Sequence, residues 1–254
     1  MLRQRPVIVC SSLRVKRLLL LLMSTVVIAH GRLYHVFEEL GQKTYGDLVI
    51  PETGADDGKN FREGNYTWSE NSIPYLLSNL TADEKLILRE AMDYIESRSC
   101  VKFVSWEATS KNFLVITRKD SGCWADLGMI GGAQIVNLDP RGCFTVGSIL
   151  HQLLHTLGFT HPTSRPDRDL YIQVNYSNIN LHDHHYMEKF STPAFDDFGI
   201  PYDYDSIMHR SGYAFSSNGK ETIIALDGSE LGQRDYMSVK DIKKLNMMYP
   251  CNPT

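Results

Sequence analysis

Hydrophobic positions fall into runs of different period along the chain. The first, Leu18 to Ala29, is continuous and follows a head carrying Arg3, Arg5, Arg14, Lys16 and Arg17. About a dozen apolar residues cannot span a bilayer, which takes a helix of ~20. A basic head, a short apolar core and a small residue near its end mark residues 1–30 as a secretory signal. Residues 31–59 are polar and turn-rich, with Gly46-Asp47, Pro51-Glu52, Gly54 and Asp56-Asp57-Gly58, and read as an extended leader. Past Trp68, Ile73-Pro74-Tyr75-Leu76-Leu77 reads as a first strand.

The period then becomes helical. Thr81-Ala82-Asp83-Glu84 is a capping box, and Ile87, Leu88, Ala91, Met92, Tyr94 and Ile95 recur at helical spacing, predicting an amphipathic helix over 82–97. Short β-rich runs follow at 101–104, 113–116 and 134–138, punctuated by Gly122, Gly128, Gly131-Gly132 and Gly142. A second helix is predicted over 147–157, with Val146, Ile149, Leu150, Leu153, Leu154 and Leu157 as its buried face. After His161 the pattern is irregular until 238–248, where Ser238 and Asp241 stand at capping-box spacing and Val239, Ile242, Leu245 and Tyr249 point inward. Strands followed by a long helix predict a mixed lobe, and no internal repeat is visible.

Composition adds the compartment. The chain has 254 residues, 43% hydrophobic and 22% charged, enough for one globular domain over 60–254. Loss of residues 1–30 removes five Lys/Arg and no Asp/Glu, leaving 21 basic against 30 acidic side chains, a net charge of −9. So acidic a surface argues against nucleic acid as partner. Cys10 leaves with the signal, and Cys100, Cys123, Cys143 and Cys251 remain as an even set, which in an exported chain implies disulfides of three possible pairings. Asn65, Asn79 and Asn175 head glycosylation tripeptides. The expected protein is secreted and extracellular, not membrane-bound after signal removal, and a monomer.

The candidate chemistry lies on the second helix. His151 and His155 are four residues apart, about 40° around a helix at ~100° per residue, so both imidazoles project toward one point. Gly158 is the residue type that ends a helix in the left-handed conformation and lets His161 swing back to the same point. Three converging histidines with an open fourth position suit one catalytic-type Zn²⁺ per chain.

This arrangement, His-x-x-x-His-x-x-Gly-Phe-x-His followed by Ser206-Ile207-Met208-His209, resembles the zinc site and methionine turn of the astacin family of metzincin peptidases. The resemblance runs from Trp68 to Cys251 and includes Ser99-Cys100-Val101-Lys102-Phe103, Gly122-Cys123-Trp124, Gly142-Cys143, Asp167-Arg168-Asp169 and Tyr202-Asp203-Tyr204-Asp205. It implies an α+β, two-lobed zincin-like fold. An N-terminal mixed sheet with two long helices would face an irregular C-terminal lobe ending in a helix. It also implies zinc at the bottom of the cleft above Met208, disulfides Cys100–Cys251 and Cys123–Cys143, and a leader whose Asp47 takes the open zinc position and keeps the protein latent. Cleavage after Lys59 would release the mature form.

Three positions depart from the family pattern. Where family enzymes carry the glutamate that moves protons between zinc-bound water and leaving amine, this chain has Gln152, an amide that cannot take that role. Arg210 stands at the tyrosine that switches on and off the metal, and a guanidinium cannot ligate. Pro162 stands at the glutamate that holds the mature N-terminus. The reading is a zinc-binding pseudoprotease that holds extracellular polypeptide in its cleft, with Arg210 paired to Asp47 in the latent form. The alternative is a slow zinc metalloendopeptidase in which another residue supplies the base.

Overall fold

In the computed structural model, residues 46–50, 67–190 and 197–251 are described. The expected signal segment, most of the leader and Asn65 lie outside them. Strands β1 (Leu48–Val49), β2 (Ser72–Ser78), β3 (Lys102–Ser105), β4 (Phe113–Thr117), β5 (Cys123–Asp126) and β6 (Ala133–Leu138) form one sheet in the order β1-β5-β6-β4-β2-β3. Every neighbouring pair is parallel except β5–β6. Alternation decides which face is covered: Leu114 and Ile116 on β4, with Val136 and Leu138 on β6, are fully buried.

Two helices cover that face. Helix α1 (Ala82–Glu96) starts at a complete Thr81–Glu84 capping box and buries Leu88, Ala91, Met92 and Ile95. Helix α2 (Val146–Thr156) starts at Thr145, whose hydroxyl accepts from Ser148 N at 3.2 Å. It packs on α1 and is buried along nearly its whole length, so its polar residues are interior groups that need partners. Its entry is tight: a Cβ on Gly147 would lie 1.6 Å from the Arg234 carbonyl oxygen.

Beyond α2 the chain is a series of 3-10 turns, at Pro162–Ser164, Arg168–Leu170, Tyr176–Asn178 and Leu181–Met187. Among them β7 (Ile172–Val174) pairs antiparallel with β8 (Ile223–Ala225), over a separate apolar cluster that includes Tyr186, Met187, Tyr202 and Phe215. Helix α3 (Val239–Met248) closes the chain from a Ser238–Asp241 capping box. Disulfides join Cys100 to Cys251 and Cys123 to Cys143, with Cα separations of 5.3 and 5.6 Å. The lobe expected to be irregular thus carries one small sheet, and β1 and β5 join a sheet for which the sequence pattern gave fewer strands. Both omissions have a cause: β1 is two residues long, and Cys123, Trp124 and Ala125 of β5 are all buried, so neither shows alternation.

Candidate metal centre

Helix α2 aims His151 and His155 at one point, and its end brings in His161. Gly158 has φ +95°, the left-handed conformation that stops the helix, and its N–H and that of Phe159 cap the carbonyls of His155 and Leu154 at 2.9 and 3.0 Å. The chain then doubles back, and all three imidazoles are buried. Their Nε2 atoms and the Asp47 carboxylate lie within 4.8 Å of one another. Asp47 Oδ2 is 2.7 Å from His151 Nε2 and 3.5 Å from His155 Nε2, and its Oδ1 is 3.1 Å from His161 Nε2.

The protons on two of the three histidines fit a cation. The carbonyls of Ile207 and Phe159 lie 2.9 and 2.8 Å from the Nδ1 atoms of His151 and His155. A carbonyl only accepts, so both Nδ1 atoms carry the hydrogen and both Nε2 atoms turn lone pairs inward. Those two Nε2 atoms are 3.1 Å apart. Two lone pairs so close repel, while Zn–N bonds of ~2.0–2.1 Å at a tetrahedral centre place ligand nitrogens about 3.3 Å apart. Asp47 Oδ1 is buried without a hydrogen-bond partner among the described residues, His161 Nε2 being near at 3.1 Å. A zinc ion satisfies every one of these groups, and the site is able to hold one.

Burial opposes ionisation of Asp47, but the imidazoles of His161, His151 and His155 around the carboxyl overcome it and hold it well below its ordinary pKa. Burial lowers the pKa of His155, and burial together with the Arg210 charge lowers that of His161 further, so both are neutral ligands near pH 7.

Support comes from the other lobe. Met208, 1% exposed, belongs to the main core, and its turn is braced from α3. Asp241 accepts from Ser206 Oγ at 2.6 Å and from the N–H of Ile207 at 2.9 Å, so the residue that caps α3 also fixes the carbonyl carrier for His151. That second role of Asp241 is invisible in the sequence, where it shows only as a capping-box position.

The three departures sit as follows. Gln152 is fully buried; its Nε2 donates to Asp47 Oδ2 at 3.5 Å, and its Oε1 has no hydrogen-bond partner among the described residues. Arg210 is 5% exposed, with Cζ 5.0 Å from the Phe215 ring centre. The expected direct pair with Asp47 does not form: Arg210 Nη2 meets His161 Nδ1 at 3.2 Å, and the imidazole stands between guanidinium and carboxylate. Pro162 opens the first 3-10 turn and lines a small pocket with Asp203, Lys240, Asp241 and Lys244. Asn79 is exposed in a left-handed conformation with φ +68°, and Asn175 Oδ1 accepts from Ser177 Oγ at 2.7 Å.

The seat of residues 46–50 has parts that sequence reading missed. A Cβ on Gly46, at φ +82°, would lie 2.9 Å from Phe215 Cζ and 3.2 Å from Arg210 Nη1. Leu48 and Ile50 are buried with Leu127 and Phe190. Ala125 N donates to Asp47 O at 3.1 Å, and Leu127 N to Val49 O at 2.9 Å. Nothing in the order of residues links Leu127 or Phe190 to Leu48; only the fold does.

A mixed sheet backed by two helices, with two histidines on one helix and a third just past its end, beside a methionine turn, defines the zincin class of metallopeptidase-like proteins. The sequence profile of the astacin peptidase family matches residues 60–250. The chain belongs to the astacin family. Seminal metalloprotease 1 of Drosophila melanogaster is 43% identical over 200 residues, 73% of this chain and 78% of the relative. Zinc metalloproteinase nas-14 of Caenorhabditis elegans is 38% identical over 187 residues, 72% of this chain but 37% of the relative, so the chain spans little more than a third of that protein. High choriolytic enzyme 1, a hatching enzyme zinc-protease from Oryzias latipes, superposes with a TM-score of 0.68 at 31% identity, covering 79% of this chain and 99% of that one.

Proposed function

We propose that this chain is a secreted, zinc-binding astacin homologue that holds polypeptide in its cleft without hydrolysing it. The observation that carries the reading is Gln152, buried beside the histidine cluster with its amide on the Asp47 carboxylate. Bound zinc would polarise a carbonyl and acidify a water. Gln152 can orient that water through Oε1, but an amide neither takes nor returns a proton near neutral pH. Arg210 has no lone pair to offer the metal, and it places a fixed positive charge behind the His161 imidazole. Loss of the general base alone removes ~10²–10⁴ in rate.

The same reading gives the chain its route. Residues 1–30 act as export signal, 31–59 as leader, and the mature domain works as a glycosylated extracellular monomer. Disulfides and a basic-headed apolar segment support export. The second reading, a slow zinc metalloendopeptidase, is favoured by the intact histidine set and by relatives named as metalloproteinases. Metal analysis and a peptide-cleavage assay separate the two. The expected results are about one zinc per chain, as a three-histidine site binds, and no chelator-sensitive cleavage above a His155→Ala control. Cleavage that exceeds the control would establish the enzyme.

A further inference from the structure

The two substitutions at the metal change its surroundings in one direction. Gln152 removes a negative charge and presents Nε2 as a donor, 3.5 Å from Asp47 Oδ2. Arg210 adds a buried positive charge, one imidazole away from the same carboxylate. Donors and positive charge at a water-excluded point favour an anion over a neutral carbonyl, because Coulomb attraction is much stronger there than in water. The acidic member of the described cluster is Asp47 itself, which arrives on a separate segment.

That segment shows what the seat accepts. Its Asp47 is 1% exposed, and its backbone pairs with the β5 edge through Ala125 N and Leu127 N. The following Leu48 and Ile50 are buried, at 0% and 5% exposure, with Leu127 and Phe190. The side chain before Asp47 is excluded by Phe215 and Arg210. Carboxylate, edge-strand pairing and aliphatic anchors are together a complete peptide-recognition set.

We propose that the cleft is a carboxylate receptor for extended polypeptide: it captures a segment presenting Gly-Asp followed by aliphatic residues, with Gln152 and Arg210 selecting the acidic side chain over a scissile carbonyl. The inference rests on the non-hydrolysing reading above. It differs from latency, because the ligand is a partner in trans and the two substituted residues are its determinants.

The test uses the full, zinc-loaded chain with its own leader undocked by Gly46→Val and Leu48→Asn, and with a retained cooperative thermal transition. Fluorescent Gly-Asp-Leu-Val-Ile amide should bind at least about tenfold more tightly than Gly-Asn-Leu-Val-Ile amide, the scale of a desolvated charge contact. Arg210→Gln and Gln152→Glu should each cut that preference to about threefold or less. Equal binding of the Asp and Asn peptides overturns the inference and leaves the non-hydrolysing reading intact, whereas cleavage of either peptide overturns that reading. A control peptide whose carboxylate is its C-terminus, binding as tightly as the Asp peptide, would overturn the assignment to a side chain. An arm in the otherwise intact chain needs no undocking. Exchange of the Ala125 and Leu127 amides should rise about tenfold in Asp47→Asn and in Arg210→Gln; unchanged exchange counts against the proposal.

Discussion

Arg210 Nη2 lies 3.2 Å from His161 Nδ1, a nitrogen that a zinc-ligating histidine ordinarily keeps protonated. A guanidinium can only donate, so it asks for the Nδ1 lone pair and pushes the ring hydrogen to Nε2, where the metal has to bind. His151 and His155, facing carbonyls, carry no such conflict. Arg210 therefore opposes zinc through both tautomer and charge, and His161 is the weak ligand.

Replacing Arg210 with methionine should tighten zinc by about tenfold or more, the scale of changes next to a ligand. Competition against a chromophoric chelator measures it. An affinity that falls would mean that the guanidinium supports the site.

Repair of the two reactive positions should restore chemistry. In an Asp47→Ala background, which takes the carboxylate out of the histidine cluster, Gln152→Glu with Arg210→Tyr should raise chelator-sensitive peptide cleavage at least ~10²-fold. Each single repair should do less. A silent double variant would place the defect elsewhere in the cleft.

His209 sets an acid limit on stability. It is buried, donates Nδ1–H to the Arg210 carbonyl at 2.7 Å and accepts from the Tyr202 hydroxyl at 2.8 Å. Burial moves its pKa from 6.5 to about 4, so between those values the unfolded chain binds the extra proton. Its contribution is complete above pH 6.5 and lost as pH falls toward 4, on the order of 3 kcal/mol. Asp241, raised by burial to about 6, runs the opposite way, so the comparison is with His209→Gln. Denaturant titrations from pH 7 to pH 4 should show a shallower acid loss in that variant, and parallel curves would discount His209.

Gly147→Ala should destabilise the fold by about 3 kcal/mol or more, since overpacking against backbone has no flexible neighbour to yield. The new methyl would sit 1.6 Å from the Arg234 carbonyl oxygen. Thermal unfolding reads it directly, and a neutral result would mean that the 232–236 segment moves freely.

Much of this architecture is written locally. Thr81 with Glu84 and Ser238 with Asp241 start helices where the sequence puts them, because a cap is a contact between near neighbours. The histidine spacing likewise encodes its own convergence. What the sequence hides depends on distant partners. The Arg210–His161 contact spans 49 positions, and Leu48 finds Leu127 and Phe190 only through the β1–β5 pairing. The expected Arg210–Asp47 pair followed from opposite charge alone, and it missed because an imidazole occupies the space between them.

The Cys100–Cys251 bridge makes a covalent circle with a sequence separation of 151, and His151, His155, His161, Gln152 and Arg210 all lie on it. Asp47 stands outside that circle and outside the smaller Cys123–Cys143 ring. Among the described residues of the cluster, Asp47 can depart without any bond of the ring breaking. Cutting or pulling on the N-terminal strand is thus a separable event: it exchanges the fourth occupant while the ring holds the remaining residues on one closed loop.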